Sequence, residues 1–78
     1  MNELLIRCRL GDIMKERGLQ NKHVVELTGV SRNTITSLAG NATKRIDYDT
    51  LGAICRGLNV TPGDLLEYIP SKSKEITN

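Results

Sequence analysis

Neither tryptophan nor phenylalanine occurs among the 78 residues, and Tyr48 and Tyr68 are the only aromatics. The core must therefore be aliphatic. A chain of this length makes one small domain, so the core is economical. Its candidate members are Leu10, Ile13, Met14, Leu19, Val24, Leu27, Val30, Ile35, Leu38, Leu51, Ile54, Cys55, Leu58, Val60, Leu65, Leu66 and Ile69. No run approaches the roughly 18 apolar residues that a membrane span requires, and the opening stretch from Met1 to Arg9 lacks the layout of a secretory signal. A soluble, cytoplasmic protein with no membrane partner is expected.

Cysteine and histidine are equally scarce. Cys8 and Cys55 stand far apart in apolar patterns with no CxxC partner, so buried thiols are expected and no metal site. Without an export signal such thiols stay reduced, although sequence alone leaves open whether the two approach each other. His23 is the single histidine, lies next to Lys22, and has no Ser or Cys nucleophile that sequence can place beside it. An enzyme is not expected, nor any cofactor. Asp47 and Asp49 read as helix-start residues, and His23 as a solvated or phosphate-contacting one.

A formal charge of +2 does not by itself suggest a nucleic-acid partner, but its distribution is informative. Between Gly18 and Arg45, Lys22, Arg32, Lys44 and Arg45 outweigh Glu26. From Ile46 to Pro70, Asp47, Asp49, Asp64 and Glu67 outweigh Arg56. A domain polarised in this way turns its basic side toward phosphate before contact.

That basic segment holds the most specific pattern in the chain. Val24, Leu27 and Thr28 fall at helical intervals, and Gly29 then supplies the left-handed conformation that lets the backbone leave one helix steeply. Val30 is placed to plug the crook. Ser31 reads as the N-cap of a second helix whose buried stripe is Ile35 and Leu38. At about 100° per residue, Asn33, Thr36, Ser37 and Gly40 lie opposite that stripe, with Arg32 at the flank. The outward face lacks the Glu and Lys that coat a merely solvated helix. Such a face suits a major groove, where Arg can bond guanine, Asn can bond adenine, and a Thr methyl can touch the methyl of thymine.

The rest of the chain reads as three more helices. The first spans 10–17, with Leu10, Ile13 and Met14 on one face and Gly18 as its stop. Ahead of it, residues 6–10 alternate apolar and basic in a strand-like period. The segment 43–46 is the other stretch with an extended look, and Leu4 and Leu5 offer instead a backward extension of the first helix. The fourth helix starts after Asp47, carries Leu51, Ile54, Cys55 and Leu58 on a narrow stripe, and closes at Asn59. Gly52 and Gly57 weaken it by up to about 1 kcal/mol each relative to alanine, which marks both as places of close backbone contact. A fifth helix begins at Thr61-Pro62-Gly63-Asp64, buries Leu65, Leu66 and Ile69, and stops at Pro70. The domain is thus 1–70, and 71–78 reads as a mobile polar tail.

The five-helix order and its punctuation resemble the phage-repressor and Cro family of bacterial and phage DNA-binding domains, also called the XRE family. The resemblance to a small single-domain subgroup rests on Ile6-Arg7-Cys8-Arg9-Leu10, Met14-Lys15-Glu16-Arg17-Gly18-Leu19, Leu27-Thr28-Gly29-Val30-Ser31-Arg32, Lys44-Arg45-Ile46-Asp47 and the run Leu51 through Leu66. It implies an all-α, five-helix lambda-repressor-like DNA-binding domain, with a short extended segment at the N-terminus. Residues 21–28 become the positioning helix and 32–39 the recognition helix. Asn21 takes the place where the family carries a phosphate-contacting Gln, and Ser31, Arg32, Asn33, Thr36 and Ser37 match groove-facing positions. Val25 stands where Ala is usual and Gln20 where a Ser or Thr cap is common.

A sequence-specific transcriptional regulator acting as a repressor is the resulting expectation, with double-stranded DNA as partner. Arg32, Asn33 and Thr36 select bases. Phosphates fall to the amides opening the second helix and to Asn21, Lys22, Ser31, Ser37, Asn41, Lys44 and Arg45. One domain reads one half-site, so either a homodimer on a palindrome with half-sites roughly 34 Å apart or a partner protein that supplies the second contact is expected. Leu4, Leu5, Ile6, Tyr48, Tyr68 and Ile76 are the candidate sticky positions. The rival reading is a protein-interaction module, such as an antitoxin or anti-repressor that keeps the fold and uses its acidic C-terminal half.

Overall fold

The computed structural model describes residues 5–70; the expected tail at 71–78, like Leu4, lies outside them. In chain order come β1 (Ile6–Cys8), α1 (Leu10–Arg17), α2 (Asn21–Thr28), α3 (Arg32–Ala39), α4 (Tyr48–Leu58), α5 (Pro62–Leu65) and β2 (Leu66–Tyr68). Left-handed residues end the first four helices and release the chain into each turn. Gly18 (φ 66°) and Gly29 (φ 76°) do this after α1 and α2, and Asn41 (φ 55°) and Asn59 (φ 57°) after α3 and α4. After α3 the left-handed residue is thus Asn41, not Gly40. The Ala42 amide then reaches back to the Ser37 carbonyl at 2.8 Å and seals the helix end.

Each helix contributes one side chain with no exposed surface: Leu10, Val24, Ile35, Ile54 and Leu65. Around them Cys8, Ile13, Met14, Val30, Leu38 and Leu58 complete an aliphatic core. Val30 is buried behind Gly29 as expected of a plug. Arg17 ties α1 to α4 by donating to the Leu58 carbonyl at 2.6 Å, a cation at the negative end of a helix.

Four expectations are corrected. The fifth helix stops at Leu65, because Leu66 turns extended (φ −116°, ψ 134°) and opens a strand. The partner of β1 is that strand and not the segment 43–46: Ile6 faces Tyr68, Arg7 faces Glu67 and Cys8 faces Leu66 in antiparallel register. Pairing gives backbone groups on both strands partners that one more helical turn would not, and Arg7 adds an ion pair to Glu67 at 3.3 Å. Leu27 is 52% exposed and does not join the core. Its main chain, not its side chain, meets α4 at Gly57, where an added Cβ would lie 2.5 Å from the Leu27 carbonyl oxygen. Gly52 faces open space, so only Gly57 marks a close contact.

Candidate nucleic-acid interface

The turn between α2 and α3 is held from inside by Thr28. Its hydroxyl donates to the Val24 carbonyl at 2.7 Å and accepts from the Val30 amide at 3.1 Å, so the chain leaves Gly29 in one direction. Ser31 then caps α3. Its Oγ accepts from the Thr34 amide at 3.2 Å and donates to the Thr34 hydroxyl at 2.9 Å. With Ile35 and Leu38 fixed in the core, Arg32, Asn33 and Thr36 are left exposed on the opposite face, and Ser37 is half-buried beside them.

Alpha-helix α2 opens next to this face. Gln20 occupies its N-cap in extended conformation, and its amide donates to Nδ1 of His23 at 3.0 Å. The histidine therefore closes the helix start in the manner of a capping-box glutamate. The sequence pattern suggests only a solvated or phosphate-contacting place for it, because the motif ordinarily carries Glu or Gln at this position. Asn21, the first residue of α2, reaches across to α3, where its Nδ2 donates to the Thr36 hydroxyl oxygen at 3.1 Å. A residue expected at phosphate and one expected at a base are thus joined before any ligand arrives.

The connection from α3 to α4 forms the other flank. Thr43 donates to the Arg45 carbonyl at 3.1 Å and accepts from the Arg45 amide at 3.3 Å, a tight turn with exposed Lys44 at its tip. Between this turn, α3 and the start of α4 runs a groove of about 420 Å³, lined by Asn33, Ser37, Arg45 and Asp47 among others. Asp47 caps α4 through the Thr50 amide at 2.7 Å, and that bond holds its carboxyl below the usual carboxylate range.

Asn41, expected at phosphate, makes two hydrogen bonds inside the protein. Its Oδ1 accepts from the Cys8 amide at 2.8 Å and its Nδ2 donates to the Cys8 carbonyl at 3.1 Å. The side chain stands in for a third strand along the outer edge of β1. Its own amide is spent on the Leu38 carbonyl at 3.2 Å. One N–H of Nδ2 remains, but the carboxamide is anchored on the Cys8 backbone. Nothing local in the sequence announces a partner 33 positions away.

Electrostatics separate the two ends of the molecule. Arg7 pairs with Asp12 at 2.9 Å and with Glu67, and Arg9 lies near Asp12 and Glu16 at 3.7 and 3.6 Å. The Arg7 guanidinium holds the Asp12 carboxyl below its ordinary range. By contrast, Lys22, Arg32, Lys44 and Arg45 make no ion pair with any described residue. Burial pushes the Cys8 thiol up, as befits a core residue, whereas Cys55 is only half-buried. Among the described residues no His, Cys, Asp and Glu cluster has metal-binding geometry, and no helix is long and apolar enough to cross a membrane.

Residues 9–71 match the family model described as the Cro/C1-type HTH DNA-binding domain. The chain belongs to that helix-turn-helix family. It is 32% identical over 56 residues to the uncharacterized HTH-type transcriptional regulator YozG of Bacillus subtilis (strain 168), which spans 72% of this chain and 67% of the relative. No solved structure matches it significantly. The Cro/C1-type assignment agrees with the five helices and with α2 and α3 as the helix-turn-helix pair. It also accommodates the small sheet formed by β1 and β2 at the edge of the bundle.

Proposed function

We propose that this Cro/C1-type domain is a sequence-specific repressor that inserts α3 into the major groove of double-stranded DNA in the cytoplasm. Arg32, Asn33 and Thr36 contact bases, and Asn21, Lys22, Ser31, Ser37, Lys44 and Arg45 contact phosphate, with the opening amides of α2 adding their dipole. The observation that carries this reading is the outward face of α3: three hydrogen-bonding side chains stand exposed there, next to cations that no carboxylate of the described protein neutralises.

The chemistry divides the labour. Lys22, Lys44 and Arg45 supply charge that any DNA sequence accepts, and this fixes register on the backbone. Arg32 can donate two bonds to guanine and Asn33 can pair with adenine, each good pair discriminating by roughly 1–3 kcal/mol. A single half-site gives modest discrimination, so two copies act on a palindrome whose half-sites lie about 34 Å apart. A domain seated on a promoter obstructs polymerase without any further contact, which makes repression the simplest output.

Selection of bound fragments from random duplex DNA tests this. A recovered palindrome with 10–10.5 bp between half-site centres, or a multiple of it, is the expected result. Binding without any sequence preference would overturn it and favour the protein-interaction module.

A further inference from the structure

A single side-chain hydrogen bond, from Asn21 to Thr36, joins the start of α2 to the outward face of α3. A threonine carries a hydroxyl and a methyl on the same carbon, in two of three staggered positions, and the helix restricts which pair of positions is occupied. In α3 the hydroxyl oxygen is drawn toward α2 by Nδ2 of Asn21 at 3.1 Å. The methyl must then occupy a different staggered position on an exposed residue. Without Asn21 the side chain divides between the two rotamers that a helix allows threonine, and offers a ligand either a hydroxyl or a methyl.

We propose that Asn21 is a positioning residue that fixes the Thr36 rotamer, so that Thr36 reads thymine through its methyl group and not a polar base edge through its hydroxyl. This rests on the DNA-binding reading above and deepens it: Asn21 contributes sequence preference through Thr36, in addition to any contact with phosphate. The pairing is specific to these two side chains. Asn21 is the first residue of α2 and only half-buried, and its carboxamide has no other described partner. A shorter serine or a donor-less leucine at position 21 would leave Thr36 unheld.

The test uses the duplex recovered from random selection, with each thymine replaced in turn by deoxyuridine, which removes only the methyl. Wild-type protein should lose about fourfold in affinity at one thymine per half-site, the factor matching about 0.8 kcal/mol for one buried methyl-sized group. Thr36→Ser keeps the hydroxyl and lacks the methyl, so its thymine-to-uracil ratio should fall to one. Asn21→Ala should lower that ratio while helicity, read by circular dichroism, stays the same. Thr36→Val presents a methyl in either position and cannot bond Asn21, so adding Asn21→Ala to it should leave the ratio unchanged. A ratio that survives Thr36→Ser, or an Asn21→Ala loss that is equal on thymine and uracil duplexes, overturns the proposal while leaving specific DNA binding intact. Absence of any preferred duplex overturns the functional reading itself, and this inference with it.

Discussion

Gly52 and Gly57 lie on the same helix, five residues apart, and alanine at the two positions should have opposite effects. Both substitutions gain the same intrinsic helix preference, up to about 1 kcal/mol. At Gly52 nothing lies within 4 Å of an added Cβ, so the gain is realised in full. At Gly57 the Cβ would meet the Leu27 carbonyl oxygen at 2.5 Å, the Leu27 carbonyl carbon at 2.9 Å and the Thr28 methyl at 2.8 Å. Two of these three atoms are backbone, which cannot rotate aside, so α2 and α4 must separate. Overpacking of that kind costs about 3 kcal/mol at the upper end of its usual range, leaving a net loss of about 2 kcal/mol after the helix gain. For a domain of this size 1 kcal/mol moves the thermal midpoint by about 4–8 °C. Thermal unfolding followed at 222 nm should therefore show Gly52→Ala above wild type by about that much, and Gly57→Ala below it by about twice as much. Gly57→Ala as stable as Gly52→Ala would refute the close packing of α4 on the end of α2.

Further outcomes follow from the same contacts. Asn41→Ala should destabilise the fold by about 1–3 kcal/mol through the two bonds lost at Cys8, while the folded protein keeps its DNA affinity; an affinity loss at unchanged stability would return Asn41 to the phosphate set. Asp12, Asp47 and Asp64 are held below their ordinary range, by the Arg7 hydrogen bond in the first case and by the Thr50 and Thr61 backbone bonds in the others. Their contribution is complete above the unfolded value near pH 4 and is lost as the pH falls through the depressed folded values, so unfolding midpoints should fall on the acid side by a small amount, these groups being exposed and screened by solvent; midpoints that rise on the acid side would contradict the three bonds. If one domain neutralises about four phosphates, log affinity should fall against log salt with a slope of about −3.6, and Lys44→Ala should make the slope shallower by about 0.9 on every sequence tested. An unchanged slope would remove Lys44 from the interface.

What could be read in advance was what is local. Gly29, Val30 and Ser31 act within a few residues of themselves, through a left-handed angle, a plug and a cap, and the structure places the α2–α3 pair where that chemistry puts it. The end of α5 was a different matter. Leu65, Leu66 and Ile69 fit a helical stripe, while Leu66, Glu67 and Tyr68 also fit a strand, and the choice was made by β1, about sixty residues earlier in the chain. Asn41 shares this property in full, and Gly57 in part. Asn41 looks like an ordinary loop residue until the distant backbone of Cys8 is brought against it, whereas the cost of Gly57 to its helix announces a close contact and leaves only the neighbour, Leu27, unspecified. Leu27 has the periodicity of a core residue, yet its side chain is half exposed and it is its main chain that lies against Gly57. In the site, exposure of Arg32, Asn33 and Thr36 follows from the burial of Ile35 and Leu38, but the link from Asn21 to Thr36 depends on how two helices pack, which no spacing rule supplies.

The central claim is that the outward face of α3 distinguishes bases while the flanking cations do not. Affinities of wild type, Arg32→Ala and Lys44→Ala for a selected duplex and for a scrambled duplex of equal length, at one salt concentration, test it most directly. Arg32→Ala should weaken the selected duplex by about 5- to 150-fold, matching 1–3 kcal/mol, and barely change the scrambled one, whereas Lys44→Ala should weaken both alike. An Arg32→Ala loss of the same size on both duplexes would contradict the account.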